Sequence, residues 1–432
     1  MHECPFEREG REVGLRAVIG VRALGALALT GALVLAGLIG GSAASAGPPR
    51  AYTSALSAAG AESSFALNLL RLLGGSGNVV FSPYSVDTAL TMAGAGAEGQ
   101  TGAQIDHVLG ASSLASASAN AAALRQAVGA ATPSGAAGAP TLELANALWI
   151  QTGVALQNPF VKTLTGTFAA PPQDTNFRGA PETARQAINA WVSQHTARLI
   201  EDLLPEGSVS PATVFVLANA IYLKANWATP FDARLTHDAP FTTSSGQSAS
   251  VPFMSAPDTA LPYAAASDYQ AVDLPYRSSS LSLLAILPRG TSLAALQASL
   301  NAASLASLVA ALRTREVNLL MPKLHLHTQT SLNGPLETLG MTDAFGPAAD
   351  FRGITTQVPL QISLVEHAAD LKVDEQGTVA AAATGIVGPT AIARPPGPQV
   401  SVDLDHPYLL LLRDDGSGAI LFVARVADPS AG

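Results

Sequence analysis

The 432-residue sequence predicts an α+β fold. Segments with the periodicity of strands and of helices follow one another without strict alternation, which is the pattern of α+β domains. Residues 214–223 form a continuous apolar run, typical of a strand that is buried on both faces. With 48% hydrophobic and only 13% charged residues, the chain has the composition of a packed globular protein. No repeat or linker divides residues 47–432, so we expect them to form a single domain.

The first 46 residues predict a secretory signal peptide. Arg16 and Arg22 precede an apolar run over residues 23–40, and Ala-Ser-Ala at residues 44–46 supplies a cleavage site of small residues. The run is also close to the length that spans a bilayer, so an N-terminal membrane anchor is the alternative. We therefore expect the mature chain to be secreted, to the extracellular space or to a periplasm, with a membrane-anchored form as the alternative.

The net charge and the cysteine content exclude several kinds of function. A net charge of −9 argues against nucleic acid as a main partner. The only cysteine, Cys4, lies in the predicted signal peptide. A mature chain would therefore have no disulfide, no thiol nucleophile and no thiolate metal site. The abundance of alanine favours a high-GC genome and a bacterial origin.

The mature chain begins with a predicted amphipathic helix over residues 51–73, which the Gly-Gly-Ser-Gly sequence at residues 74–77 ends. A short strand then runs into Ser82 and Pro83, where proline suits the first turn of the next helix. Further helices are predicted over residues 158–167, 182–196, 292–312 and 332–341. Further strands are predicted over residues 141–150, 251–254, 269–274, 281–287 and 317–327, the last interrupted by Pro322.

Residues 375–396 form an unusual segment between predicted strands over residues 360–373 and 399–402. Within it, residues 379–384 include no bulky side chain and no charge. Glycines and prolines make a helix unfavourable despite the alanines; they stand at positions 377, 385, 388, 389, 395 and 396. Composition alone leaves a disordered linker or an ordinary alanine-rich helix open. However, a long apolar loop is uncommon unless it is functional, and its small side chains could enter a packed sheet without overpacking it.

The sequence over residues 375–384, Glu-Gln-Gly-Thr-Val-Ala-Ala-Ala-Ala-Thr, resembles the hinge of the reactive-centre loop in inhibitory members of the serpin family. Residues 78–105 and 419–429 are also similar to that family, and the resemblance extends over residues 51–429. It implies the serpin fold: a large central, mostly antiparallel sheet, further sheets and about eight or nine helices. It also implies an exposed reactive-centre loop at about residues 377–396.

The resemblance further implies a suicide-substrate inhibitor of serine proteases that supplies no catalytic residue itself. In such inhibitors the protease cleaves the loop and forms an acyl-enzyme, and the hinge then inserts into the central sheet as a new strand. The hinge residues permit insertion, since none after the first is charged or bulky: Glu375, Gly377, Thr378, Ala380, Ala381, Ala382, Ala383 and Thr384. Beyond them, Gly385, Gly388 and Pro389 are poor strand formers and are expected to slow insertion.

The reactive bond is predicted by counting along this loop. Inhibitory serpins are usually cleaved after the residue fourteen beyond the hinge glycine, which here is Ala391, with Ile392 following. Because the loop is long, the count could be off by one or two residues, and cleavage after Thr390 or after Ile392 remains open. Such a bond suits a protease with a small apolar primary pocket, elastase-like or subtilisin-like. Arg394 would suit a trypsin-like enzyme, but Pro395 follows it and would hinder cleavage.

Five residues match the family's shutter region, a polar cluster under the middle of the main sheet: Ser82, Ser85, Asn219, Ser363 and His367. Buried polar groups need partners, so a network that can re-form after a rearrangement is a plausible latch for a bistable sheet. The simpler interpretation of His367 is a core histidine whose hydrogen bonds are satisfied.

Three residues match the family's breach, at the top of the same sheet. Lys323 and Glu375 are expected to form an ion pair there, with Trp227 packed nearby. The simpler interpretation is two solvated surface charges, whose pairing would contribute about 0–1 kcal/mol.

No cofactor and no metal site are expected. His325 and His327 lie two residues apart on a predicted strand and could share a metal, but no acidic or histidine third ligand is evident, so we favour a solvated strand face. Residues 111–139 contain one basic residue, Arg125, so a heparin-type activator is not expected. We expect a monomer.

Two other kinds of function are alternatives to the inhibitor. A non-inhibitory serpin would bind or carry a ligand, and its loop would be cleaved without trapping the protease. An unrelated secreted hydrolase is the least favoured, because G-x-S-x-G, P-loop, H-E-x-x-H and G-x-G-x-x-G motifs are all missing from the sequence. The chain is therefore predicted not to be an enzyme.

Overall fold

The computed structural model describes residues 50–132, 138–378 and 399–431. A compact unit spans Pro48–Gly432. Within the described ranges there are nine α-helices, where the resemblance implied about eight or nine: α1 (Arg50–Leu72), α2 (Pro83–Gly94), α3 (Gly99–Val108), α4 (Leu114–Ala131), α5 (Asn158–Thr163), α6 (Pro181–His195), α7 (Leu293–Ser299), α8 (Ala302–Ala311) and α9 (Asn333–Thr338).

Fifteen strands lie in the same described ranges and form two sheets. They are β1 (Val79–Phe81), β2 (Thr141–Gln151), β3 (Gln173–Thr175), β4 (Phe215–Asn226), β5 (His237–Thr242), β6 (Ser248–Ala265), β7 (Tyr269–Pro275), β8 (Leu281–Pro288), β9 (Arg313–Pro322), β10 (Leu324–Ser331), β11 (Leu364–Asp374), β12 (Gly377–Thr378), β13 (Val400–Asp403), β14 (Tyr408–Asp414) and β15 (Ile420–Val426). The α+β class predicted from the sequence is confirmed.

The six-stranded sheet has the order β10-β11-β12-β4-β2-β3. Its long pairs, β10 with β11 and β2 with β4, are antiparallel, whereas β11 runs parallel to β4 where the two strands touch. This is the large, mostly antiparallel sheet that the sequence predicted. The apolar run over residues 214–223 is its strand β4, which is buried along most of its length.

The nine-stranded sheet has the order β1-β15-β14-β8-β7-β6-β9-β13, with β5 paired to β6. Its strands β14 and β15 are buried at every position, as expected from their largely apolar sequences. Helix α2 packs against β15 of this sheet and against β2 and β4 of the other. Ser82 caps α2 by accepting a hydrogen bond from the Ser85 amide, and Pro83 occupies the first turn.

Helix α6 covers the opposite face of the six-stranded sheet, where it packs against β2 and β4. Its apolar residues Ile188 and Val192 are fully buried in a cluster with alanines of the sheet. The two faces of this sheet are called the inner face, toward α2, and the outer face, toward α6.

Some elements differ from the sequence-based expectation. The single strand predicted over residues 317–327 is two strands, because Pro322 ends β9 in the nine-stranded sheet and β10 then pairs in the six-stranded one. The helix predicted over residues 158–167 ends as α-helix at Thr163 and continues as one π-helical turn over Leu164–Phe168. In the described ranges no single helix has the length and apolarity of a membrane span, although the bent pair α7 and α8 meets those two criteria jointly.

Candidate functional site

The boundary between β4 and β11, called the seam, is the central feature of the six-stranded sheet. The two strands pair directly from Leu364 opposite Val216 to Ala369 opposite Ile221. Four residues further along they are separated by β12, since Thr378 pairs with both Val373 and Ala225. The seam is therefore closed at its lower part and held open by one strand at its top. The strand that holds it open is the start of the predicted hinge.

Gly377 fits the top of the seam only because it has no side chain. Its φ angle is +152°, and a Cβ atom built there would lie 2.0 Å from the carbonyl oxygen of Ala225. Thr378, which follows, is fully buried, and its hydroxyl is hydrogen-bonded to the Tyr276 hydroxyl at 2.5 Å. The geometry accounts for one glycine and one small residue at the first two positions of β12.

Trp227 holds the backbone of the hinge in place. Its backbone amide donates to the carbonyl of Gln376, and its indole Nε1 donates to the carbonyl of Asp374, both at 2.9 Å. The Phe231 amide donates to the carbonyl of Glu375 at 2.9 Å. The indole is buried and stacks on Tyr276 with ring centres 4.6 Å apart. Trp227 thus donates hydrogen bonds to the carbonyls of Asp374 and Gln376, which lie on either side of Glu375.

The predicted pair of Lys323 and Glu375 is formed, with Nζ 2.9 Å from Oε2. The Thr236 hydroxyl donates to Oε1 of the same carboxylate at 2.8 Å. Burial by itself raises the pKa of Glu375, but the hydrogen bonds from Lys323 and Thr236 outweigh it and lower that pKa below its ordinary value. The Lys323 side chain is 38% exposed, so the pair fixes the geometry of the hinge more than it stabilises the fold.

A row of polar residues crosses the inner face of the sheet, in the middle of the seam. Asn146 of β2 lies opposite Asn219 of β4, which lies opposite His367 of β11. Asn219 Nδ2 donates to Asn146 Oδ1 at 2.5 Å and to Ser85 Oγ at 2.7 Å, and Ser85 Oγ donates to Asn146 Oδ1 at 2.8 Å. His367 Nδ1 is hydrogen-bonded to Asn219 Oδ1. This bond joins the two strands of the seam.

His367 must be neutral to make its two hydrogen bonds. The backbone amide of Ser82 donates to Nε2 at 3.1 Å, so that nitrogen carries no proton, and Nδ1–H donates to Asn219. Burial lowers the pKa of His367 to about 3, which keeps the ring neutral at physiological pH. The inner cluster is defined as Ser82, Ser85, Asn146, Asn219 and His367. It connects the N-terminus of α2 to strands β2, β4 and β11.

One member of the predicted polar group lies outside the inner cluster, and one member of that cluster was not predicted. Ser363 lies four residues before His367, about 13 Å along the strand, and is therefore outside the inner cluster. Its hydroxyl accepts from the Val214 amide at 3.4 Å, at the lower end of the seam. Asn146 was not predicted, although a lone polar residue within the apolar strand over residues 144–150 was a usable signal.

His325 and His327 have an acidic neighbour, contrary to the expectation from the sequence. Asp370 of β11 lies directly opposite His327, and its Oδ2 is 2.8 Å from His325 Nε2 and 3.4 Å from His327 Nδ1. The sequence could not show this because it does not fix the register of β10 against β11. Even so, across residues 50–132, 138–378 and 399–431 no group of three such side chains is placed to hold a metal ion.

The remaining predicted site residues lie outside the described residues. They are the hinge positions Ala380, Ala381, Ala382, Ala383 and Thr384 and the predicted reactive bond between Ala391 and Ile392. Their assignment stays a prediction from the sequence.

Replacing Gly377 by alanine is expected to expel β12 from the seam, because its Cβ would overlap the Ala225 carbonyl. The amides of Trp227 and Phe231 then lose their acceptors, and their hydrogen exchange should become at least about tenfold faster. Gly60→Ala is the matched control, since a Cβ on Gly60 meets nothing within 4 Å. Unchanged exchange at both amides in Gly377→Ala would contradict this placement of the hinge.

The pH dependence of stability tests the protonation state of His367. Its pKa is about 3 in the folded chain against an ordinary 6.5, so the unfolded chain binds one more proton between these values. The stabilisation from His367 is therefore complete above pH 6.5 and is lost as the pH falls toward 3. Between pH 7 and 4.5 the loss should be roughly 2 kcal/mol.

The measurement is urea unfolding of the wild-type chain and of His367→Gln at pH 7 and pH 4.5. Glutamine can make both hydrogen bonds but does not titrate. Burial raises the pKa of Asp87 and of Glu366 to about 7, and these groups titrate with the opposite sign in both chains, so the difference between the chains isolates His367. A difference that does not change with pH would show that His367 is not the neutral, buried group described.

Comparisons with known proteins agree with this arrangement. The family model described as "Serpin (serine protease inhibitor)" matches residues 60–429. Iripin-2 of Ixodes ricinus is 36% identical over 380 residues, which cover 85% of this chain and 92% of that protein. Leukocyte elastase inhibitor of Sus scrofa is 32% identical over 380 residues, which cover 85% of this chain and 98% of that protein.

Solved structures show the same fold. The structure of tengpin, a thermophilic serpin in the native state, superposes with a TM-score of 0.77 at 25% identity and covers 86% of this chain and 94% of its own. The predicted serpin fold is thus confirmed, and the chain belongs to the serpin family.

Proposed function

We propose that this serpin is a secreted, monomeric inhibitor of serine proteases that acts as a suicide substrate. The observation that carries the proposal is the position of β12, because the first two hinge residues already lie between β4 and β11. The sequence that follows, through Thr384, contains no bulky or charged residue that would block further entry into the seam. The 32% identity to a leukocyte elastase inhibitor supports the same function.

The walls of the seam favour entry of such a strand. Small residues line its lower part: Ala218 and Ala220 of β4 and Ala368 and Ala369 of β11 are all fully buried. Side chains of an inserted strand would alternate between the inner and outer faces, where alanine and threonine fit without overpacking. A bulky or charged hinge residue would instead have to be buried without partners.

The proposed reaction uses the catalytic groups of the protease alone. The protease serine attacks the carbonyl carbon of Ala391, and the bond to the nitrogen of Ile392 breaks, which leaves an acyl-enzyme and a free amine. The freed hinge then enters the seam, and the attached protease is distorted before water can release it. Serpins are in general inhibitors or binding proteins, which supports the prediction that this chain is not an enzyme.

The target follows from the predicted reactive bond. Alanine at the cleaved position suits a small apolar primary pocket, so we propose an elastase-like or subtilisin-like protease. A signal peptide over residues 1–46 would bring the inhibitor to that protease outside the cytoplasm, with an N-terminal anchor as the variant of the same proposal. Gly385, Gly388 and Pro389 would slow insertion, so part of the inhibitor is expected to be consumed as plain substrate.

The test mixes the purified chain separately with neutrophil-type elastase, subtilisin and trypsin, followed by denaturing gels and mass spectrometry. The proposal predicts a denaturant-stable adduct with elastase or subtilisin and a released peptide that begins at Ile392. Thr378→Arg should abolish the adduct and leave cleavage intact, because Thr378 is fully buried in the seam.

The matched control is Thr378→Ser, which retains the hydroxyl that bonds to Tyr276 and should still form the adduct. Cleavage without an adduct for all three proteases, and without a gain in thermal stability, would overturn the inhibitor and favour the non-inhibitory binding or carrier protein. Catalytic turnover of generic substrates by the chain itself would favour the hydrolase.

A further inference from the structure

Glu366 places a carboxyl group in the wall of the closed seam. It lies on the outer face of β11, opposite Ser331 of β10 on one side and Ala218 of β4 on the other. The residue is only 5% exposed. It is the third of the six residues of β11 that pair directly with β4, counted from the lower end of the seam. A parting of the strands that starts at the top therefore reaches Glu366 only after most of the seam has opened.

Among the described residues, no charged group acts on this carboxyl. Burial raises the pKa of Glu366 to about 7, and only the hydroxyl of Ser331 opposes the rise. The β4 residues along this part of the seam, 216–220, include no titratable side chain. The titratable residues of the other elements around it are His325 and His327 of β10, Asp370 and Lys372 of β11, Glu182, Arg185 and His195 of α6, and Arg198, Glu201, Asp202 and Glu206 after α6.

This burial links the charge of Glu366 to the state of the seam. An ionised carboxylate without a cation is unfavourable in an apolar wall, whereas water stabilises it once the strands part. Because burial raises the pKa of Glu366 above its ordinary 4.5, the closed seam binds the proton more tightly than the parted seam does. The contribution of Glu366 to closure is therefore complete below pH 4.5 and is lost as the pH rises through about 7.

We propose that Glu366 makes the entry of a strand into the seam pH-dependent: its protonated side chain keeps β4 and β11 together, and its ionised side chain promotes their separation. This inference rests on the proposed function, because strand entry is the step by which the inhibitor would trap a protease. Glu366 acts on the strands and not on the hinge, since it lies about 23 Å along β11 from Val373, the partner of Thr378.

Two substitutions separate Glu366 from other groups that titrate near neutrality. Glu366→Gln keeps the size and polarity of the protonated side chain but cannot ionise. Asp87→Asn is the matched control, because burial also raises the pKa of Asp87 to about 7, yet this residue lies on α2 and accepts a hydrogen bond from Thr91 one turn away. His367 does not interfere, because its pKa of about 3 lies below the pH range of the test.

The experiment measures the rate at which the purified full chain incorporates a synthetic peptide with the sequence of residues 377–390, acetylated and amidated at its ends, by native mass spectrometry. This peptide has no ionisable side chain, so any pH dependence arises from the protein. If parting lowers the pKa of Glu366 from about 7 to about 6, the wild-type rate should be about fivefold higher at pH 8.5 than at pH 6. Asp87→Asn should show the same ratio, whereas Glu366→Gln should incorporate the peptide equally fast at both pH values.

A rate that does not change with pH in the wild-type chain would overturn the proposal without reference to any variant. A fivefold ratio that persists in Glu366→Gln would overturn it as well, since another group would then be responsible. If Glu366 had a structural role alone, Glu366→Gln would change the rate by the same factor at both pH values and keep the ratio. Failure of every chain to incorporate the peptide at either pH would refute the role of Glu366 together with the seam as a site of strand entry.

The protease assay distinguishes failure of this inference from failure of the proposed function. A pH dependence that disappears in Glu366→Gln, without any protease adduct, supports the role of Glu366 and refutes the inhibitor. Adducts that form while peptide incorporation is independent of pH refute only the role of Glu366.

Discussion

The pairing of β4 with β11 is the contact on which the other features of this serpin depend. Six residues of each strand pair directly, and beyond Ala369 the strands separate around the first two residues of the hinge. The breach residues Trp227, Lys323 and Glu375 hold that hinge at the open end. The inner cluster bridges the seam below on its inner face, and residues 200–204, which pack on Ala220 and Ala368, cover it on the outer face. Each of these contacts has to break or re-form if the sheet takes up another strand.

Small side chains pack closely along the seam, but the individual hydrogen bonds across it are weak. Each hydrogen bond across it contributes about 1 kcal/mol, so the strands are held by many small terms and no single strong one. Burial shifts the pKa values of two adjacent titratable groups on β11 in opposite directions, in each case toward the neutral form. Burial lowers the pKa of His367 to about 3 on the inner face and raises that of Glu366 to about 7 on the outer face. Parting these strands would expose the neutral His367 and the small side chains of Ala218, Ala220, Ala368 and Ala369.

Much of the fold and part of the candidate site could be predicted from the sequence, because local patterns determine them. Local sequence is enough to recognise the glycine and alanines of the hinge and the apolar run of β4. It also reveals Asn219 and His367 as polar residues within buried strands. The contacts of Asp370 with His325 and His327 and the position of Ser363 could not be predicted, since they depend on which residues of neighbouring strands face each other. Asn146 was a usable signal as a lone polar residue in an apolar strand, but its partners depend on the same register. A shift of one residue in register reverses the face of every side chain, and nothing local in the sequence fixes that register. The hydrogen bonds from Gln329 to the carbonyls of Asp202 and Leu203 could not be predicted for the same reason, because these carbonyls are more than a hundred residues away in the sequence.

The most direct test of this account compares hydrogen exchange of β4 and β11 before and after the loop beyond Thr378 is cut once by any protease. We infer that the seam is a site for one further strand. Amides near residues 222–224 and 370–372, where the strands begin to part, should therefore become strongly protected after cleavage, and the thermal midpoint should rise. Cleavage followed by unchanged or faster exchange at these positions, with no rise in the midpoint, would show that the seam does not accept the hinge.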